Sequence, residues 1–588
     1  MSAQFKFRRL RLLGSFAGMA FCLLAQIPQE DSRNVNVPNT DTHFAMPKYR
    51  TLGEWEAHKQ KLRAQILFAA GLIPSPKKNP LNPVIFGRIE HSDYTIEKVY
   101  IETLPGYYLC GNLYRPHGRA GKFPGVLAPH GHWDYGRLEH QPLNSIPLRG
   151  INLAKQGYVA FAYDMVGYDD TIQTPHDFGS PREQLWGFGP LGLQLWNSIR
   201  ALDFLESLPD VDPERLAVTG ESGGGTQTFL LAAVDDRVKF DAPVNMISAI
   251  MQGGGQCENA PGLRFDTFNV EIGAMMAPRP MLMVSATGDW TKNTPREEYP
   301  AVRSIYELYD RAAELEMVQI DAPHNYNQAS REAMYGFFGK RILGEATDVK
   351  EGRGVHVEKL QDMLVWQNRP LPKNALTYDQ LVEQWIAEAK KQTDETRDIS
   401  LLRERLRLAL GAEWPERVLS ERSGDRMVLS RAGKGDRVAG IRVGSGVPSV
   451  IVVDAGGAEA ARKIAVPKIG GGSALLLTVF QTGDAVAPRD RSGPYFLTYN
   501  RSDDANRVQD ILTALAYLKQ EGAQDLRIVA SGKAAIWAEF AAAAAPVPVA
   551  VEGKFDGFKG DDQDFIDQFF VPGIQRAGGL AAVRRILP

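Results

Sequence analysis

The sequence predicts an α/β chain: a mostly parallel sheet with helices on both faces, followed by a second, degenerate unit of the same kind. Three observations carry this expectation. From Phe123 onward, short apolar runs alternate with helical periodicities, the pattern of strands buried on both faces of a sheet. A serine flanked by glycines stands where one such run passes into a helix. The chain also has 588 residues, more than the ~250–300 that one core accommodates.

The elements follow in order. Lys6, Arg8, Arg9 and Arg11 precede the apolar run Leu12 to Ala25. A basic stretch before a short apolar one has the form of an export signal, so residues 1–25 are expected to direct the chain to the periplasm or the outside by the general or the twin-arginine route. The run is shorter than the ~20 residues that span a bilayer, and no later segment is long and apolar enough, so no membrane span is expected in the mature chain. Residues 26–93 read as an arm with one helix near Trp55 to Leu72, where Leu62, Ile66, Leu67 and Ala70 share a face. Strands are expected from Tyr94, then at Gly125 to Ala128, Val159 to Tyr163, Leu216 to Thr219, Met281 to Ser285 and Met317 to Ile320, within a unit of residues 94–345.

Residues 346–376 turn polar and proline-spotted, which suggests a linker or a surface-crossing segment. Residues 377–588 carry strand runs at Ser449 to Val453, Ala474 to Phe480 and Leu526 to Ala530. The stretch Arg507 to Ala535 reads like Ser198 to Gly224, with Lys533 set opposite Ser222. No histidine follows His356, so a second Ser-His-acid site is excluded there.

The composition, 44% hydrophobic and 23% charged with a formal net charge of -3, is that of a globular protein without the basic field that attracts nucleic acid. Cys110 and Cys257 are the cysteines left after the signal, and they could pair after export or stay as free thiols.

The chemistry concentrates at Gly220-Glu221-Ser222-Gly223-Gly224-Gly225, between the strand ending at Thr219 and a helix of small residues. A serine on so tight a strand-to-helix turn is an exposed nucleophile, and glycines beside it relieve clashes with neighbouring backbone. Its hydroxyl needs a base. His324 follows the last strand of the unit in Asp321-Ala322-Pro323-His324. The orienting acid is expected after the preceding strand, where Asp289 closes Met281 to Asp289; the rival Asp321 lies too near His324 in the chain. The N–H groups of Gly223 and His132 are the expected oxyanion donors. Trp133, Trp186, Trp290 and Tyr326 could stack on a sugar ring. His130-Gly131-His132-Trp133-Asp134 also matches the start of a dinuclear zinc signature, but Tyr135 follows where a further ligand would stand, so neither metal nor cofactor is expected.

With these residues assembled, Phe123 to Leu343 resembles the acetylxylan esterase and dienelactone hydrolase branches of the α/β-hydrolase superfamily. The resemblance rests on His130-Gly131, the turn Asp164-Met165-Val166-Gly167, the serine elbow, Gly288-Asp289 and His324. It implies a covalent acyl-enzyme and a small-molecule or polysaccharide ester as substrate, often an acetyl group on plant polysaccharide. Dienelactone hydrolases usually carry cysteine where this chain has Ser222. Prolyl-oligopeptidase-like peptidases share the elbow and the chain order, and a non-catalytic scaffold remains the reading for the second half.

Overall fold

A computed structural model gives the fold of residues 29–345, 349–352, 355–465 and 472–587. The expected signal, residues 1–25, lies outside the described residues. Among those residues, no helix is long and apolar enough to cross a membrane.

The first unit is a nine-stranded sheet built from β1 (Val84–Glu90), β2 (Tyr94–Leu104), β3 (Tyr107–Pro116), β4 (Phe123–Leu127), β5 (Val159–Tyr163), β6 (Val211–Glu221), β7 (Val238–Val244), β8 (Met281–Gly288) and β9 (Leu315–Pro323). The strands lie in the order β1-β2-β3-β5-β4-β6-β7-β8-β9. The β1/β2, β2/β3 and β3/β5 pairs are antiparallel. From β5 to β9 every pair is parallel. β5, Val-Ala-Phe-Ala-Tyr, is buried along its whole length, as an interior strand covered by helices on both faces must be. β1 was expected within the arm but is an edge strand of this sheet, which moves the start of the unit from 94 to 84. β7 was not foreseen: Lys239, Asp241 and Pro243 alternate with its apolar residues, so it has no unbroken apolar run.

Helices cover both faces. Helix α1 (Leu52–Ala69) is started by Thr51, whose side chain accepts from Glu54 N–H at 3.2 Å, and it buries Trp55, Leu62 and Ile66. Helix α2 (Ile146–Gln156) packs on β3 and β5. α3 (Pro190–Ser207) and α4 (Gly223–Val234) flank β6.

The second unit repeats this plan in seven strands: β10 (Val418–Ser423), β11 (Arg426–Arg431), β12 (Val438–Val443), β13 (Val450–Val453), β14 (Ala474–Thr478), β15 (Leu526–Ala530) and β16 (Val549–Glu552). Their order is β10-β11-β12-β14-β13-β15-β16. The first three pairs are antiparallel and the rest parallel. Strand for strand this matches β1-β2-β3-β5-β4-β6-β7, with no counterpart to β8 or β9 among the described residues. The elbow position differs by one from the sequence expectation. Gly532, with φ +52°, stands where Ser222, with φ +56°, stands; Lys533 is the residue after it, with φ -55°.

Residues 355–376 do not hang free between the units. The Asp170 carboxylate accepts from Val365 N–H at 2.7 Å and Trp366 N–H at 2.9 Å, and Leu376 N–H donates to the Gly106 carbonyl at 2.9 Å. The segment is therefore a strap laid over β2 and β3. The arm bridges both units: Arg33 pairs with Asp510 at 2.6 Å, while Phe44 N–H donates to the Ala249 carbonyl at 2.9 Å. One apolar core runs from Trp55 and Ile66 through Trp385 to Trp537 and Phe565.

Because this core is shared, deleting residues 377–588 is expected to give aggregated protein instead of a folded hydrolase unit. Gel filtration and a thermal melt check this; a soluble monomer melting at the full-length temperature would refute the shared-core account.

Candidate active site

The ends of β6, β8 and β9 lie at one edge of the sheet, because these strands are parallel and near neighbours. Ser222 follows β6 and is the residue before α4. Its φ of +56° and ψ of -123° lie where L-residues are strained, a cost of order ~1–3 kcal/mol that persists only where the surroundings enforce it. The enforcement is visible. A Cβ at Gly220 would lie 2.5 Å from the Pro129 carbonyl oxygen, and one at Gly224 would lie 2.6 Å from the same atom. Gly223 opens α4, so its N–H has no carbonyl one turn back and points free.

The loop after β4 presses on the serine: a Cβ at Gly131 would be 3.0 Å from Ser222 Cβ. This sets the His132 backbone beside the nucleophile candidate. The device that holds the loop is Glu221, which sequence reasoning missed. Its side chain is fully buried. Oε1 accepts from Gly131 N–H at 3.0 Å, Trp133 Nε1–H at 2.9 Å and Asn144 Nδ2–H at 2.8 Å. Oε2 accepts from Arg149 Nη1 at 2.9 Å. The only signal in the sequence was an acidic residue inside an apolar strand end.

Asp289 and His324 meet. His324 Nδ1 lies 2.8 Å from Asp289 Oδ2. The other carboxylate oxygen of Asp289 accepts from Thr291 N–H at 2.7 Å and Thr291 Oγ1 at 2.5 Å, which fixes its plane. His324 Nε2 is buried without a hydrogen-bond partner among the described residues. Asp321 is instead an exposed residue that accepts from Thr287 Oγ1 at 2.7 Å.

Of the aromatic candidates, two flank this edge. Trp290 packs on the His324 ring at 4.4 Å between centroids and donates Nε1–H to the Asn245 carbonyl at 3.0 Å. Trp133 is half-buried and held by Glu221. The other two are corrections. Tyr326 is fully buried, its hydroxyl paired with Thr219 Oγ1 at 2.6 Å and the Arg149 guanidinium 4.6 Å over its ring, so it is core. Trp186 is buried in the interface, donating Nε1–H to Asp562 Oδ1 at 2.9 Å, and cannot meet a substrate. A cavity of about 280 Å³ between the units is lined by Phe68, Phe178, Phe188, Gln256 and Tyr495, and neither Ser222 nor His324 borders it.

The dinuclear zinc pattern does not converge. His130 donates Nδ1–H to the Gly131 carbonyl at 2.7 Å and accepts Met165 N–H on Nε2 at 2.9 Å, so neither nitrogen is free for a metal. Burial pushes the His130 imidazole down to about 3. Cys110 and Cys257 are both buried free thiols.

Two outcomes follow. Glu221→Gln strands the buried Arg149 charge and should cost about 3 kcal/mol, read as a lower midpoint in urea; an unchanged midpoint would contradict the role given to the pair. The unfolded chain protonates His130 below its ordinary value of 6.5, whereas the buried ring resists down to about 3. Stability conferred by the neutral ring is therefore complete above that ordinary value and falls with pH through the window, by at most about 1.4 kcal/mol per pH unit from this group. Urea midpoints against pH should show this slope, and His130→Gln should flatten it.

No family model matches the chain. The putative hydrolase YtaP of Bacillus subtilis is 27% identical over 241 residues, covering 38% of this chain and 78% of that protein. Among solved structures, methylesterase BT1017 superposes with a TM-score of 0.48 at 28% identity, over 58% of this chain and 78% of its own. A glucuronoyl esterase from Solibacter usitatus gives a TM-score of 0.40 at 17% identity, over 52% of this chain and 100% of its own. Antiparallel β1 to β3 leading through β5 and β4 into a parallel run make the first unit an α/β-hydrolase fold, with the second a shortened form of the same sheet.

Proposed function

We propose that the chain is an exported serine hydrolase that cleaves carboxylic esters, with esters of carbohydrate as its substrate class. The observation that carries this reading is the buried, partnerless Nε2 of His324, whose opposite nitrogen is engaged by Asp289. A buried acceptor left open is costly; Ser222 Oγ makes no hydrogen bond to it in this structure, and it is the atom a general base needs free to take the serine proton.

In this mechanism the Ser222 Oγ attacks the ester carbonyl while His324 Nε2 takes its proton. Asp289 holds the imidazole with Nδ1 protonated and stabilises the cation that forms. The carbonyl oxygen, gaining charge, is met by the N–H groups of Gly223 and His132, helped by the positive end of α4. His324 returns its proton to the leaving alcohol. Water then repeats the sequence on the acyl-enzyme and releases the acid. Trp133 and Trp290 offer faces on which a sugar ring can stack. The ester preference and the substrate class follow the resemblance of Phe123 to Leu343 to acetylxylan esterases, and export follows the basic and apolar residues of the first 25.

Ser222→Ala is expected to lower kcat on an aryl acetate by about 10⁴-fold or more, and Asp289→Asn by about 10⁴-fold with little change in KM. Ranking acetylated sugars, uronate methyl esters, aryl esters and aminoacyl arylamides by kcat/KM sets the substrate class. Wild-type turnover by Ser222→Ala would sink the mechanism, and preference for the arylamide would make the protein a peptidase.

A further inference from the structure

Beside the serine edge lies a second group of reactive side chains that the hydrolytic mechanism leaves unused. His132 Nε2 is 3.0 Å from Cys257 Sγ, and one ligand atom from each of His132, His176 and Cys257 lies within 4.8 Å of the others. The three come from separate segments: the loop after β4, the loop after β5, and the turn Gln256–Glu258.

Their hydrogen bonding does not balance. His176 donates Nδ1–H to the Val166 carbonyl at 2.7 Å, which leaves Nε2 as an acceptor, and that atom is buried with no partner. A thiol has one proton to give, and it cannot serve two imidazoles at once. An unpaired buried acceptor is costly, whereas one cation would satisfy all three atoms together. A backbone carbonyl on the far nitrogen of His176 is also how metal-bound histidines are oriented. A tetrahedral zinc with bonds of ~2.0 Å to nitrogen and ~2.3 Å to sulfur sets its ligand atoms roughly 3.3–3.6 Å apart, within the span seen here. Thiolate and imidazole suit zinc and exclude calcium and magnesium, which take oxygen ligands. The neighbouring group His130, Asp164 and Asp169 offers no such site, because His130 has both nitrogens engaged and Asp164 is paired with Arg137.

We propose that His132, His176 and Cys257 bind one Zn²⁺, with a water or a substrate oxygen as the fourth ligand. As the zinc–sulfur bond forms, the Cys257 thiol passes its proton to solvent, and the two imidazoles bind as neutral ligands. The site touches the serine edge through His132, whose ring lies over the start of α4: a Cβ at Gly223 would be 2.7 Å from His132 Cε1. Zinc thus ties the loop that carries the second oxyanion donor to two other segments.

The full chain, stripped with chelator under reducing conditions, is titrated with zinc sulfate, passed through gel filtration and assayed for metal by mass spectrometry. The expected result is one zinc retained per chain, with one proton released per zinc in weakly buffered solution. Cobalt loading should give a thiolate-to-metal charge-transfer band that vanishes in Cys257→Ser and persists in Cys110→Ser. His176→Gln should weaken zinc retention by about tenfold or more at an unchanged circular dichroism spectrum. No zinc retained by the wild-type chain, or a cobalt spectrum without the thiolate band, would reduce the cluster to a hydrogen-bonded thiol and imidazole and overturn the proposal. Neither wild-type measurement depends on a variant that folds.

Discussion

The buried pair of Glu221 and Arg149 is the interaction on which the arrangement at the sheet edge depends. A carboxylate and a guanidinium, both fully buried, are tolerated only if each finds several partners, since desolvation otherwise exceeds their attraction. Glu221 finds four donors, three of them in the segment from Gly131 to Asn144. The residue before Ser222 is thereby fastened to the loop that faces Ser222. The strained backbone of the serine and the close approach of that loop are two results of one electrostatic knot. Arg149 extends the knot into the core through the face of Tyr326, which explains why that tyrosine is sealed away from any ligand.

A similar logic organises the periphery. The Arg137 guanidinium is shared between Asp164 and Asp170, and the Asp170 carboxylate also receives two N–H groups of the strap. A segment without strand or long helix is thus fixed by charge-assisted bonds to its backbone. The arm, through Arg33 and Asp510, does the same between the two units.

Much of this was legible in the residues. Strands such as Val159 to Tyr163 are unbroken apolar runs, and their placement needed only the period. The glycines around Ser222 signalled a turn that other residues cannot enter, and the order serine, acid, histidine singled out Asp289 and His324. What escaped had a physical reason. β7 alternates Val238, Phe240, Ala242 and Val244 with Lys239, Asp241 and Pro243, so it lacks the unbroken apolar run by which the other parallel strands were read, although its period is that of a strand. The roles of Trp186 and Tyr326 depend on which neighbour covers them, Asp562 in one case and Arg149 in the other, and contacts so distant in sequence leave no local mark. The cluster of His132, His176 and Cys257 was invisible for the same reason, as its members are brought together only by three loops.

The shortened second sheet sets the two halves apart. Gly532 stands at the turn that Ser222 occupies in the first half, and among the described residues that sheet has no counterparts of β8 and β9, the strands whose ends lead to Asp289 and His324. Replacing Gly532 by serine would place a hydroxyl at that turn with no histidine after it in the chain. The difference between the two halves therefore lies in two strands more than in one residue.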